Sequence, residues 1–241
     1  MQGSLVSIGP GTPFRFDCNP GVTCFNECCR DLNQFLTPYD VLRLKRGLGM
    51  SSRQFLDQYT RRHTGPGSGL PVVTLKPGDP KRLTCPLTTP DGCRVYRDRP
   101  SSCRTYPLVR VLRRSRENSD VREEYRLLRE PHCRGFDAER RQTVHEWTED
   151  QELRPYNAEN DRLLELISLK AHLGSKALPP SLAEQVFTAL YDLDRLRLQI
   201  QDGGLAGMCA ELMEDARGDE VALLRLGVEW VKRLLEMAFA R

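Results

Sequence analysis

Toward the C-terminal end of the chain, hydrophobic positions recur every three or four residues. In NAENDRLLELISLKAHLG (157–174), Leu163, Leu166, Ile167 and Leu173 share one helical face, and Gly174 supplies a stop. PPSLAEQVFTALYDLDRLRLQIQ (179–201) starts on Pro-Pro-Ser. It spaces Leu182, Val186, Leu190, Leu193 and Leu196 as one further helix. GDEVALLRLGVEWVKRLLEMAFA (218–240) carries Val221, Leu224, Val228, Val231 and Leu235 as a buried stripe. Such stripes are the ordinary pattern of a helical core, not of a cofactor box. GMCAELMEDA predicts a shorter helix, with Cys209 as a small buried hydrophobe.

Upstream the pattern is shorter and broken by turns. FRF (14–16) suits a short strand. TPYDVLRLKRG (37–47) predicts a helix with Thr37 as N-cap, Pro38 in the first turn and Gly47 at its end. SSRQFLDQYT (51–60) predicts a second, with Ser51 and Gln54 spaced as a capping box. GPGSG (65–69) is a turn, without the strand-before, helix-after setting of a phosphate loop, and PVVTLKP is β-rich. PLVRVLRR (107–114) and VREEYRLLRE (121–130) suit a hairpin, although the second arm does not alternate cleanly and also suits a helix. The expected fold class is therefore α+β: an irregular domain of short helices and strands over 1–148, then an all-α region over 149–241.

Composition sharpens this where the cysteines fall. Of nine in 241 residues, eight lie between Cys18 and Cys133: Cys18, Cys24, Cys28, Cys29, Cys85, Cys93, Cys103 and Cys133. No run of about 18 apolar residues predicts a membrane span. No basic segment leads an apolar stretch at the N-terminus, so a cytoplasmic, reducing setting is expected. There, clustered cysteines point to metal or catalysis more than to disulfides. Eight thiolates suit two four-thiolate sites, holding zinc or iron–sulfur clusters. Spacing does not choose between them: only Cys24 and Cys28 fit a close zinc pair, and repeated ferredoxin pairs are absent. If residues 24–29 form a helical turn, Cys24 and Cys28 share a face and Cys29 points about 100° away. If they are extended, Cys28 and Cys29 point to opposite sides. Either way the adjacent pair is expected to serve different metal atoms or different sites.

The runs CFNECCRDLNQFLTPYDVLRL, CPLTTPDGCRVYRDRPSSCRTYPL and HCRG, in this order over roughly residues 14–136, resemble the YkgJ-type cysteine-cluster family. That resemblance implies zinc or iron chelation with the eight cysteines as ligands. Through the family's usual description as iron–sulfur oxidoreductases, it also favours a 4Fe-4S type of cluster over zinc. Flagellin lysine N-methylase carries a related cysteine cluster. Three classes follow: an iron–sulfur oxidoreductase, a zinc-stabilised binding or scaffold protein, and a protein-modifying enzyme of the methylase kind.

The surrounding residues add detail. Arg94, Arg97, Arg99, Arg104, Arg110, Arg113, Arg114 and Arg116 make residues 94–141 basic. Two four-thiolate sites carry a charge of about −4 together, which nearby guanidinium groups offset. Arg99 and Arg104, flanking Cys103, are the candidate hydrogen-bond donors around the cofactor. Tyr96 and Tyr106 suit packing, Asp40 suits its helix N-terminus, and His132 is a candidate extra ligand beside Cys133. The net charge of +3 gives no ground for a nucleic-acid partner. The partner, protein or small molecule, and any catalytic residue stay unassigned. The chain has no nucleophile elbow, Walker loop, H-E-x-x-H motif or C-x-x-C pair.

Overall fold

A computed structural model describes residues 3–30, 33–114, 121–174, 176–203, 205, 208 and 210–239. The expectations for Arg116 and Cys209 lie outside the described residues. In chain order the first elements are β1 (Ser4–Ile8), β2 (Phe14–Arg15), β3 (Phe35–Leu36), α1 (Pro38–Leu48), α2 (Ser52–Tyr59), β4 (Thr60–Thr64) and β5 (Pro71–Leu75). Next come β6 (Thr88–Thr89), β7 (Gly92–Cys93), α3 (Ser101–Thr105), β8 (Leu108–Arg114), β9 (Val121–Arg129), β10 (Arg141–Gln142) and α4 (Val144–Asp150). The chain closes with α5 (Leu153–Leu173), α6 (Pro180–Tyr191), α7 (Leu193–Gln201), α8 (Ala210–Gly218) and α9 (Glu220–Phe239). The fold is α+β, with small antiparallel sheets first and helices last.

Among the described residues the strands form four small sheets, in the orders β1-β9-β8, β10-β2, β3-β5-β4 and β6-β7. The hairpin expected near 107–130 is β8 and β9, with Leu108 opposite Leu127. Its second arm is a strand because Tyr125 and Leu127 alternate into the interior, a period of two. One core cluster joins α1, α2 and β5 to the C-terminal helices through Leu42, Leu44, Phe55, Val73, Leu166, Leu190, Leu196 and Val231. A second gathers Phe14, Phe16, Leu108, Leu127, Val144 and Trp147. Cys85 and Cys93 pack against the first cluster and Cys133 against the second. The cysteine loops therefore lie where the two cores approach each other.

Three helix boundaries differ from the sequence pattern, one being the start of α5 at Leu153 and not at 157. Helix α1 does not stop at Gly47: it runs to Leu48, and Gly49, at φ 64°, makes the left-handed cap. Gly47 instead gives room to Asp98, since a Cβ there would come within 2.8 Å of its carboxylate. The single helix expected over 179–201 is two, broken at Asp192. That buried side chain accepts from Arg195 N–H at 3.4 Å, restarting the chain as α7. The restart brings Asp194 to α2, where its carboxylate accepts from Ser52 N–H at 2.6 Å.

Lys45 ties α1 to this corner. It is buried, and its ammonium bonds Glu220 and, at 3.3 Å, Asp194. Burial opposes ionisation of both acids. The Ser52 N–H and Lys45 outweigh it at Asp194, and Lys45 and Arg46 outweigh it at Glu220, holding both carboxyls below their usual range. The stability they add is present above the ordinary carboxylate pKa of about 4 and is lost as pH falls through the depressed values. Glu220→Gln should cost about 2 kcal/mol, less than the roughly 3–5 of a fully stranded buried charge because Asp194 remains. Urea unfolding at neutral pH would measure it.

Candidate metal centre

The segment CFNECC is not an α-helical turn. Residues 19–30 run as successive tight turns, with Val22 N–H on Asn19 O at 3.0 Å, Phe25 on Val22 at 2.9 Å and Glu27 on Cys24 at 3.0 Å. Asn26, at φ 68°, is left-handed, and a 3-10 turn over Glu27–Cys29 follows. The reversal at Asn26 separates Cys24 from Cys28, so the two do not share a helical face. The Asn26 side chain donates to Thr89 O at 3.0 Å, and Cys85 N–H donates to Cys29 O at 2.7 Å. These two bonds dock the loop on the β6–β7 hairpin, although the partners lie far apart in sequence.

The hairpin sets three further positions. Thr88 pairs with Cys93 across the strands, and its N–H donates to Cys85 O at 3.3 Å. Cys103 rides on α3, which is anchored through Asp40: its carboxylate accepts Ser101 N–H at 2.7 Å and Ser101 Oγ at 3.2 Å. The same buried carboxylate completes the α1 capping box with Thr37. Asp40 thus does more than serve its own helix N-terminus, because it places the Cys103 turn. Cys133 is delivered by a turn in which its N–H meets Glu130 O at 3.0 Å, and Arg134 N–H donates to Cys24 Sγ at 3.1 Å. Asp17 N–H on Gly135 O at 3.0 Å holds the Cys18 strand end beside it.

The eight thiols are free, and each lies within electrostatic reach of another. Burial first, then Cys24 and Cys133, push Cys18 up to about 11. Solvent reaches Cys103, yet the protein crowding its thiol, then Cys29 and Cys85, push it to about 12. Burial leads in raising Cys85, Cys93 and Cys133. Cys29 runs the other way: hydrogen bonding from the Cys28 thiol holds it down, and the Thr88 hydroxyl helps. Cys28, the donor of that bond, is raised, by the bond first and burial second. The adjacent pair therefore touch, and Cys18 and Cys103 lie near both of them. Cys85 and Cys93 are on the Cys29 side, since both feel that thiol.

Of the arginines, Arg99 is buried, lies 3.8 Å from the Tyr96 ring, bonds the Gln151 side chain and is close enough to Cys93 to oppose in part the rise that burial gives its thiol. Arg104 is turned toward the helices: it donates to Gln151 O at 2.6 Å and lies over the Tyr156 ring at 4.7 Å. Arg110 pairs with Asp161 at 2.9 Å and Glu123 at 2.8 Å, and Arg113 with Glu124 at 3.0 Å, so that part of the basic stretch is matched by acid. His132 sits 3.8 Å from Glu130. Thr88 and Gln34 were not legible as site residues, and Tyr106 read as packing. Gln34 Oε1 accepts from Ser102 Oγ at 3.0 Å and lies 3.9 Å from Cys103 Sγ.

Among the described residues, no three His, Cys, Asp or Glu side chains stand close enough together to hold a metal without moving. Side-chain rotation would have to draw the thiols in. The donor set is all sulfur, which suits zinc, iron–sulfur clusters or copper(I). Two buried hydroxyls also fit such a group: Thr88 Oγ1 and Tyr106 Oη make no hydrogen bond of good geometry, and each faces a cysteine sulfur. A family model described as "CxxCxxCC: Putative zinc- or iron-chelating domain" matches residues 17–149, more than half of the chain. No curated protein and no solved structure matches. Among the described residues, no helix is long and apolar enough to cross a membrane.

Proposed function

The chain belongs to the CxxCxxCC family of zinc- or iron-chelating domains, and from that premise we propose that Cys18, Cys24, Cys28, Cys29, Cys85, Cys93, Cys103 and Cys133 bind metal as thiolates. The observation that carries this reading is the gathering of eight free thiols from well-separated loops, each within reach of another. Iron–sulfur clusters of the 4Fe-4S type come first, and the chain is then an oxidoreductase of a reducing cytoplasm. A bound cluster supplies one-electron transfer without needing an open coordination position. The chain's own part is to fix the sulfurs and offset their charge. Burial raises most of the thiols, so binding must displace their protons, and affinity falls as pH falls.

A second reading is a zinc-stapled scaffold. It is favoured by the attachment of Cys85 and Cys93 to one core cluster and of Cys133 to the other, because metal would then fasten the two together. Anaerobic purification separates the readings. Brown protein absorbing near roughly 400 nm with acid-labile sulfide supports clusters. Colourless protein carrying zinc removes them.

A further inference from the structure

We propose that the cysteines divide into two interleaved sites, Cys29, Cys85, Cys93 and Cys103 in one and Cys18, Cys24, Cys28 and Cys133 in the other, with Thr88 and Tyr106 each donating a hydroxyl hydrogen bond to the sulfur of one site. The proposal rests on the metal-binding reading above and adds the partition and the donors. In the first site, Cys85 N–H is bonded to Cys29 O at 2.7 Å, Cys93 is paired to Thr88 across the hairpin, and Cys103 feels Cys29, Cys85 and Cys93. In the second, Arg134 N–H donates to Cys24 Sγ at 3.1 Å beside Cys133, and Asp17 N–H on Gly135 O at 3.0 Å holds Cys18 next to that turn; Cys18 feels Cys24 and Cys133 first and Cys29 less. Cys28 touches Cys29 and also faces Cys103, but it faces Cys18 as well. The first site has four thiols without it, so Cys28 completes the second. The boundary between the sites thus falls inside the adjacent pair.

The two hydroxyls mark the same division. Thr88 Oγ1 is buried without a well-formed bond and faces the thiols of Cys29 and Cys85. Tyr106 Oη is likewise buried and faces Cys133 and Glu130, with its ring 5.8 Å from that of Phe16. Buried donors in native proteins normally find acceptors. A neutral thiol is a poor one, and a metal-bound thiolate keeps negative charge and is a better one. Both hydroxyls are therefore placed for a charged sulfur. They are positioning residues, and losing one should weaken only its own site.

The test uses the full chain, purified anaerobically, as wild type, Thr88→Val, Thr88→Ser and Tyr106→Phe. Metal per chain is measured first, then the rate of metal transfer to a chromogenic chelator. Wild type is expected to release metal in two phases. Thr88→Val should speed one about 10-fold and Tyr106→Phe the other, in line with lost hydrogen bonds to metal ligands. Thr88→Ser, which keeps the hydroxyl, should behave as wild type, which separates a lost hydrogen bond from a disturbed fold. A single wild-type phase, both variants acting on one phase, or unchanged rates at full metal content would overturn the proposal. Wild type without metal would instead overturn the reading beneath it.

Discussion

Stripping metal from the anaerobically purified chain is expected to speed amide exchange by about 100-fold or more in residues 17–30, 85–106 and 130–137, while α5, α6 and α9 keep their protection. The difference lies in what holds each region. Residues 19–30 are tied mainly by short-range turns, and their 3-10 turn contains no buried residue. The helices bury Leu166, Leu190, Leu223, Leu224, Val231 and Leu235 in the large apolar core that they share with α1, α2 and β5. Metal–thiolate sites return about 10 kcal/mol on binding, whereas a 100-fold change needs only about 2.8. Hydrogen exchange with and without chelator measures it. Equal loosening of α9, or no change in the cysteine loops, would count against metal as the fastener.

Gly135→Ala should have the next largest effect. A Cβ at this position would lie 2.6 Å from Phe16 Cε2 and 2.7 Å from Asp17 O. The clash with backbone cannot be relieved by turning a side chain, and Asp17 N–H is itself bonded to Gly135 O at 3.0 Å. The methyl group must push the Cys18 strand end away from the Cys133 turn. Overpacking of this kind costs about 1–3 kcal/mol. If Cys18 and Cys133 share a site, metal per chain should fall by about half, since one of two four-thiolate sites is opened. Urea unfolding and elemental analysis of the variant would check both. Wild-type stability with full metal would refute the argument.

These effects separate what local sequence encodes from what it does not. The capping residues Thr37 and Ser51 act within three residues, and both were legible. The box at Thr143 and Glu146 follows the same rule and opens α4, but no strong apolar period follows it to mark a helix in the sequence. Asp192 reads as a polar position in a helical stripe, and only its side-chain bond to Arg195 N–H turns it into a break. The candidate ligands stood out because so many cysteines occur together. Their grouping did not, because it depends on the β6–β7 hairpin, on Asn26 reversing its loop and on Asp40 anchoring a turn distant in sequence. Thr88 is an ordinary residue in CPLTTPDGC until that hairpin sets it beside Cys29 and Cys85.

The most direct test of the central claim is iron, zinc and sulfide per chain in anaerobically purified wild-type protein. The account predicts about eight iron and eight sulfide for two cubane clusters, or about two zinc for two four-thiolate sites. Protein that is folded, fully reduced and free of all three would contradict it.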